Sequence, residues 1–414
     1  MKKGHLSGHF TALAVKRLTA TETDGAVSRQ HEFDGVQELK RMLGSDRRKF
    51  EATFTYLADD DPEPLRGDGT LTWYDAREND PKRSEWRLYY TDTTVSNNFS
   101  VGDLLILARR PDDRLIVVIA EQGSTMESQL LWLFGVGDVV NPEFSVKGEI
   151  ESGHAKLEFA ANHILELIGE PIEIADETYL DRMLEKFGGA FPKTREFSRF
   201  ARSTLSGVDE ISDPDGAMLA WMEREEILFR TMEKHLIGDS LQHGTADVDV
   251  LLKYFMTIFQ RRRSRVGYAL ENHLEHLFGR HGVTFSRGKT TEGRAKPDFV
   301  FPNIEAYHAL EVDPVRLTML GVKATCRDRW RQVLAEAGRI PIKHLYTLEA
   351  SISEGQTTEM GSHGVQLVLP HALHQTFKPS QRSLLLATSE FIELVTQRAA
   401  ALAQTSGMQT SLPD

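Results

Sequence analysis

One cysteine, Cys326, stands in 414 residues. It can close no disulfide within the chain, and so low a count suits a reducing cytoplasm, which is the expected location. No apolar run is long enough to span a membrane as a helix, and no secretory pattern is expected at the N-terminus. Internal repeats and low-complexity tracts are missing. So are a Gly-rich phosphate loop, a Walker lysine and a serine nucleophile elbow, which sets aside the usual nucleotide hydrolases and serine hydrolases. "HLEH" places His273 and His276 at i, i+3 without the i, i+4 spacing or a third ligand that zinc needs. Positive charge is short overall: 49 Lys and Arg face 61 Asp and Glu, a net charge of −12. That average hides a segregation. Residues 253–343 carry 17 basic and 9 acidic side chains, so a basic surface of +8 sits in an acidic chain.

The length suffices for two domains, each with its own core. Residues 8–136 show short β-type runs: "HFTALAVKRL", "EATFTYLA", "GTLTWYD", "EWRLYYTD", "DLLILARR", "RLIVVIAEQ" and "LLWLFGVG". Turn clusters such as "DDDPEPLRGDG" separate them, which predicts a barrel or sandwich. Helices are predicted at 154–169 and 176–188. Gly, Pro and Ser punctuate 187–216 without a sustained period, so this stretch reads as the interdomain connection. Beyond it, helices are predicted at 216–237, 247–260 and 265–281, the last with Val266, Leu270, Leu274, Leu277 and Phe278 on one face. Strands are predicted next at 297–301, 307–312 and 317–324. A helix after Thr325, with the stripe Trp330, Val333, Leu334 and Ala337, is predicted to end at Gly338. Strands at 342–349 and 364–370 and a helix over 381–402 complete an α/β half with a mixed sheet. The chain is therefore α+β with two domains: residues 1–186, a linker at 187–215, a second domain at 216–404, and a tail at 405–414.

The residues able to do chemistry crowd into 296–337. In "KPDFVFP" the proline favours extended backbone, so Asp298 projects from the start of a strand. Lys323 closes the next buried strand, where an unpaired ammonium would be costly unless it faces phosphate or acids. Glu336 lies thirteen residues further on. Two acids and a lysine brought together are what Mg²⁺-dependent phosphodiester hydrolysis requires: oxygens for a hard cation, and a positive charge for the phosphate. Glu271, at the edge of its helix stripe, needs a partner, either a cation or an arginine. Arg327, Asp328 and Arg329 form a run that either caps a helix or reads G·C pairs, since arginine can bond guanine O6 and N7 and a carboxylate can accept from cytosine N4. "QRRRSR" places Arg262 among basic residues that either touch phosphate or remain solvated. Trp221 fits the core of an amphipathic helix.

These stretches resemble the PD-(D/E)XK restriction endonucleases, most closely the EcoRII type. The resemblance is densest over 264–377, in "SRVGYALENHLEHLF", "TEGRAKPDFVFP", "VKATCRDRWRQVLAEA" and "HLYTLE", thins through 210–260, and is weak over the first 190 residues. The chain departs from the common motif at Gly321, where the usual pattern has Asp or Glu; the resemblance moves that acid to Glu336. It implies a restriction-endonuclease-like second domain, with Asp298, Lys323, Glu336 and Glu271 catalytic and Asp298 and Glu336 holding Mg²⁺. It implies base readout by Arg327, Asp328 and Arg329, with Trp221 near a base flipped from the duplex. The partners implied are double-stranded DNA and a second copy of the chain. A cognate DNA methyltransferase is expected in the same host, without physical association. A short palindrome with CC and GG flanks, such as CCWGG, is the implied substrate. The first half is implied to be a B3-like pseudobarrel that binds a second site and controls cleavage, and "YDARENDPKRSEWR" (74–87) offers its best groove-facing loop. A nicking or repair enzyme of the same fold, or a regulator with an inactive core, are the other readings.

Overall fold

The computed structural model describes residues 10–23, 31–60, 63–80, 82–137, 142–147, 158–170, 177–242 and 248–409. The chain divides into two compact units. The first comprises residues 1–172 with 350–356, and the second 173–349 with 357–414. The chain thus passes between units more than once, and the predicted boundary at 187 lies inside the second.

The first unit is built on an eight-stranded sheet. Its strands are β1 (Ala12–Arg17), β2 (Glu32–Asp34), β3 (Arg48–Leu57), β4 (Leu65–Asp75), β5 (Trp86–Tyr90), β6 (Leu104–Arg109), β7 (Leu115–Ala120) and β8 (Ser145–Lys147). They lie in the order β2-β5-β4-β3-β7-β6-β1-β8, and only β3 and β7 run parallel. The pleat sorts alternate side chains to two cores. Leu104, Ile106, Ile116 and Val118 enter one, with helix α2 (Thr125–Leu133). Leu105, Leu107, Val117 and Ile119 enter the other, with Trp73 and helix α1 (Leu39–Leu43). Both faces being covered, β6 and β7 read as unbroken apolar runs. The predicted strand "LLWLFGVG" is instead the end of α2. Ser124 caps that helix by accepting from the Glu127 amide at 3.0 Å, and burial on both sides erased its periodicity. Residues 74–87 take in the paired ends of β4 and β5, and of the stretch between them residue 81 lies outside those described.

Helix α3 (Glu158–Leu167) falls in the predicted 154–169, whose first residues lie outside those described. Helix α4 (Leu180–Phe187) belongs to the second unit. The expected linker contains α5 (Thr194–Ser203), whose Phe197, Phe200 and Ala201 share a core with Leu228, Phe229 and Met232 of α6 (Pro214–Gln242). Its Gly and Pro punctuation marks the turns on either side of a packed helix. The two helices expected at 247–260 and 265–281 are one, α7 (Val248–Arg280). The charged run between them continues the helix: Arg262 pairs with Glu233 and Arg265 with Glu226, binding α7 to α6.

The second sheet has six strands: β9 (Ser286–Arg287), β10 (Phe299–Phe301), β11 (Thr318–Val322), β12 (Lys343–Tyr346), β13 (Val365–Val368) and β14 (Leu385–Leu386). Strands β9 to β11 are antiparallel, and β11 to β14 parallel, which makes the sheet mixed. Phe278 of α7 packs edge-on to Phe299 and Phe301 of β10, with centroids 5.4 and 5.2 Å apart. The strand expected at 307–312 is absent. Asn303 caps a short helix, α8 (Ile304–His308), and Arg339 anchors the helix end and the loop after it by donating to the carbonyls of Tyr307, Ala309 and Val312. The last helix, α9, runs Thr388–Gln409, so residues 405–409 of the expected tail are helical, while 410–414 lie outside those described.

Candidate active site

Asp298 immediately precedes β10 and Lys323 immediately succeeds β11. Antiparallel pairing of these strands, with Phe299 opposite Leu320, brings the two residues to one end of the sheet. The Val322 amide donates to Asp298 Oδ2 at 2.6 Å, and Lys323 Nζ reaches the same oxygen at 3.2 Å. Both side chains are about one-fifth exposed, so the pair sits at the mouth of the core.

Gly321 shows why the usual acid is missing. A Cβ there would lie 2.6 Å from Val333 Cγ1, and Val333 is fully buried. The segment carrying Val333 is a 3-10 helix, Arg327–Ala335, where an α-helix was predicted. Cys326, rather than Thr325, is its N-cap, and its side chain makes no capping bond; the Glu349 carboxylate accepts from the Cys326 amide instead. Glu336 is the residue that ends this segment. It is extended, with φ −92° and ψ 146°, rather than three turns into a helix. Ala337, not Gly338, then takes the left-handed conformation at φ 46°.

Glu336 is nevertheless coupled electrostatically to the other two. Burial raises the Glu336 carboxyl to about 7; Lys323 pulls it down and Asp298 pushes it up, so all three share one electrostatic neighbourhood. Glu336 Oε2 is buried and has no hydrogen-bond partner among the described residues. An orphaned carboxylate oxygen beside a second carboxylate fits a hard cation, which would satisfy it. Among the described residues no group of three or more His, Cys, Asp or Glu is placed to hold a metal ion, so the protein would offer at most two carboxylates. Mg²⁺ is suited to such a site, because it binds through one or two carboxylates and keeps several waters. Glu271, on α7, is raised first by burial, lowered by its bond from Arg287 and raised by Asp298. It therefore feels the charge of Asp298, and its hydrogen-bond partner is an arginine: Arg287 Nη2 donates to Glu271 Oε2 at 2.8 Å.

The expected DNA contacts fare unevenly. Arg329 is exposed, as a groove-facing residue must be, while the side chains of Arg327 and Asp328 lie outside those described. Arg262 is bound bidentately to Glu233 at 2.9 and 2.6 Å, so its first partner is a buried carboxylate rather than a phosphate. Trp221 is 2% exposed and lies against His273 and His276, so it presents no face to an extruded base. His273, fully buried, stands 2.9 Å from both Glu225 and Arg202.

Three residues escaped the sequence reading. Arg287 also pairs with Glu275, bracing the helix that carries Glu271. Glu292 accepts from the Tyr307 hydroxyl and from the Gly338 amide, the latter at 3.1 Å. Lys343 donates to the carbonyls of Glu336 and Ala337 at 2.6 and 2.5 Å. Only Lys343 carried a signal, as a lone charge opening the apolar run "IKHLYTLE".

Residues 229–392 match a family profile described as EcoRII C terminal. The chain is also 33% identical, over 391 residues, to a protein of Escherichia coli named Type II restriction enzyme EcoRII; the match covers 92% of this chain and 93% of the relative. Similar solved structures include metal-depleted Ecl18kI in complex with uncleaved, modified DNA, with TM-score 0.44 and 18% identity over 55% of this chain and 84% of the other. A second is a restriction endonuclease PspGI–substrate DNA complex, with TM-score 0.42 and 17% identity over 51% of this chain and 94% of the other.

Proposed function

Because the chain belongs to the EcoRII family of type II restriction endonucleases and is a site-specific DNA nuclease, we propose that Asp298, Lys323 and Glu336 form its Mg²⁺-dependent cleavage centre, acting on a short palindrome with CC and GG flanks such as CCWGG. The observation carrying this reading is the convergence of Asp298 and Lys323 on one hydrogen-bonded pair, with the buried, unpartnered Glu336 oxygen in the same electrostatic field.

Asp298 and Glu336 would hold the cation. When bound, it supplies positive charge to the phosphate oxygens and makes its water more acidic. The Val322 amide fixes the Asp298 carboxylate, so its aim is set by the sheet. Lys323 contributes a fixed positive charge next to the phosphate, and the Tyr346 carbonyl holds its backbone by accepting from the Lys323 amide at 3.0 Å. Glu271 keeps Arg287 as its partner and adds negative charge at the rim. Arg327, Asp328 and exposed Arg329 would read G·C pairs after the lysine. A homodimer would place one centre on each strand of the palindrome. The first unit would be the B3-like effector domain, binding a second copy of the site and restraining the nuclease.

Cleavage mapping on DNA of known sequence, with and without Mg²⁺, tests this reading. It predicts a unique CC/GG-flanked site cut only with the metal, and no cutting by Asp298→Ala. Equal cutting by the variant would remove Asp298 from the centre.

A further inference from the structure

Glu336 has an unusual burden. It must present a carboxylate accurately, yet it stands on neither helix nor strand. Its amide donates to the Val333 carbonyl at 3.1 Å, as the end of the 3-10 helix requires. Its carbonyl accepts from Lys343 Nζ, and so does that of Ala337, which also accepts from the Ile340 amide at 2.9 Å. Lys343 is 6% exposed. Burying an ammonium is costly, and two carbonyl acceptors with the nearby charges of Glu292 and Glu336 offset that cost. A methionine would fill the same space at no such cost, so the charge at this position calls for a role.

Strand β12 supplies the context. Lys343 begins it and Tyr346 ends it. Its parallel pairing with β11 sets Gly321 beside Leu345 and Val322 beside Tyr346. The Tyr346 carbonyl fixes Lys323, and the Lys343 ammonium fixes Glu336. A four-residue strand therefore spaces the lysine and the acid of one centre. A second brace acts on the same turn: Glu292 accepts from the Gly338 amide and is itself held by Tyr307.

We propose that Lys343 is a positioning residue which, through the carbonyls of Glu336 and Ala337, sets the backbone that aims the relocated acid at the metal site. The proposal rests on the metal-binding role assigned to Glu336. A helical acid would need no such brace, because its carbonyl would be bonded within the helix. Relocating the acid to irregular backbone thus created a need that Lys343 meets.

The test uses the full-length protein and Mn²⁺ alone, with free metal followed by electron paramagnetic resonance and folding followed by thermal melting. Lys343→Met should bind Mn²⁺ about tenfold more weakly than wild type, the scale seen when groups that orient metal ligands are lost. Lys343→Gln keeps one neutral donor and is the variant to read if the methionine does not fold; it should also weaken Mn²⁺ binding while melting cooperatively. Adding Lys343→Met to Glu336→Ala should weaken binding no further, because the lysine acts through that residue. If Glu336→Ala loses affinity while both Lys343 variants that fold bind as wild type, the positioning role is overturned and the metal site stands. If Glu336→Ala itself binds Mn²⁺ as wild type does, the assigned role of Glu336 fails, and the proposal with it.

Discussion

Asp298 and Lys323 owe their places to two paired strands, whereas Glu336 owes its place to a turn held by a lysine seven residues further on. The first two are aimed by the ladder between β10 and β11 and by one amide bond to the carboxylate. Glu336 stands where a 3-10 helix gives way to extended backbone. On the proposed reading, the difference teaches how an active-site acid could move. Val333 fills the space over Gly321, so a side chain there is crowded out, and the same segment carries Glu336, the proposed replacement, three residues later.

The comparison can be broken first at its regular end. Asp298→Ala should lower single-turnover cleavage by about a thousandfold or more with Mg²⁺, since the proposed ligand to the cation would be lost. A drop under tenfold would mean that the sheet does not carry the principal ligand.

The irregular end is sharpened by trying to undo the relocation. Gly321→Asp in the Glu336→Ala background should fail to restore cleavage. It should also cost about 3 kcal/mol of stability, because the new side chain is forced against Val333 and brings charge into a buried strand. Denaturant unfolding and a cleavage assay check both parts, and recovered activity would show that the site tolerates the ordinary arrangement.

Smaller effects are expected at the basic residues. Arg262→Ala should cost about 2 kcal/mol of stability by leaving Glu233 buried without its bidentate partner. If Arg262 were chiefly a phosphate contact, melting would be unchanged and the salt dependence of DNA binding would flatten. Arg329→Ala should cost roughly 1–2 kcal/mol of discrimination, confined to G·C positions of the site. Binding to single-base variants measures this, and a uniform loss would make Arg329 a backbone clamp.

The two ends also differ in how well the sequence announced them. The proline before Asp298 and the apolar run before Lys323 marked strand ends, and strands alternating with helices marked the mixed sheet. The 327–335 stretch misled because Trp330, Val333, Leu334 and Ala337 satisfy a helical period, while packing over Gly321 imposed the tighter helix. Residues 260–265 misled in the opposite way. The run of charge reads as a solvated or phosphate-facing stretch between two helices, whereas α7 is continuous and the partners of Arg262 and Arg265 lie on α6, far away in sequence. Trp221 fitted a core position as well as a base-stacking one, and burial decided for the core. Lys343 could be noticed but not interpreted, since its acceptors are carbonyls whose position depends on the turn.

The most direct test of the account is a Mg²⁺ titration of single-turnover cleavage by Glu336→Gln beside wild type. Glutamine keeps the shape and removes the charge. The account predicts a variant that melts like wild type or higher, because a buried charge without a hydrogen-bond partner has been removed, and that cuts at least about a hundredfold more slowly at saturating Mg²⁺. Cleavage at the wild-type rate with an unchanged Mg²⁺ requirement would contradict it, and another acid would then have to fill the place that Gly321 leaves open.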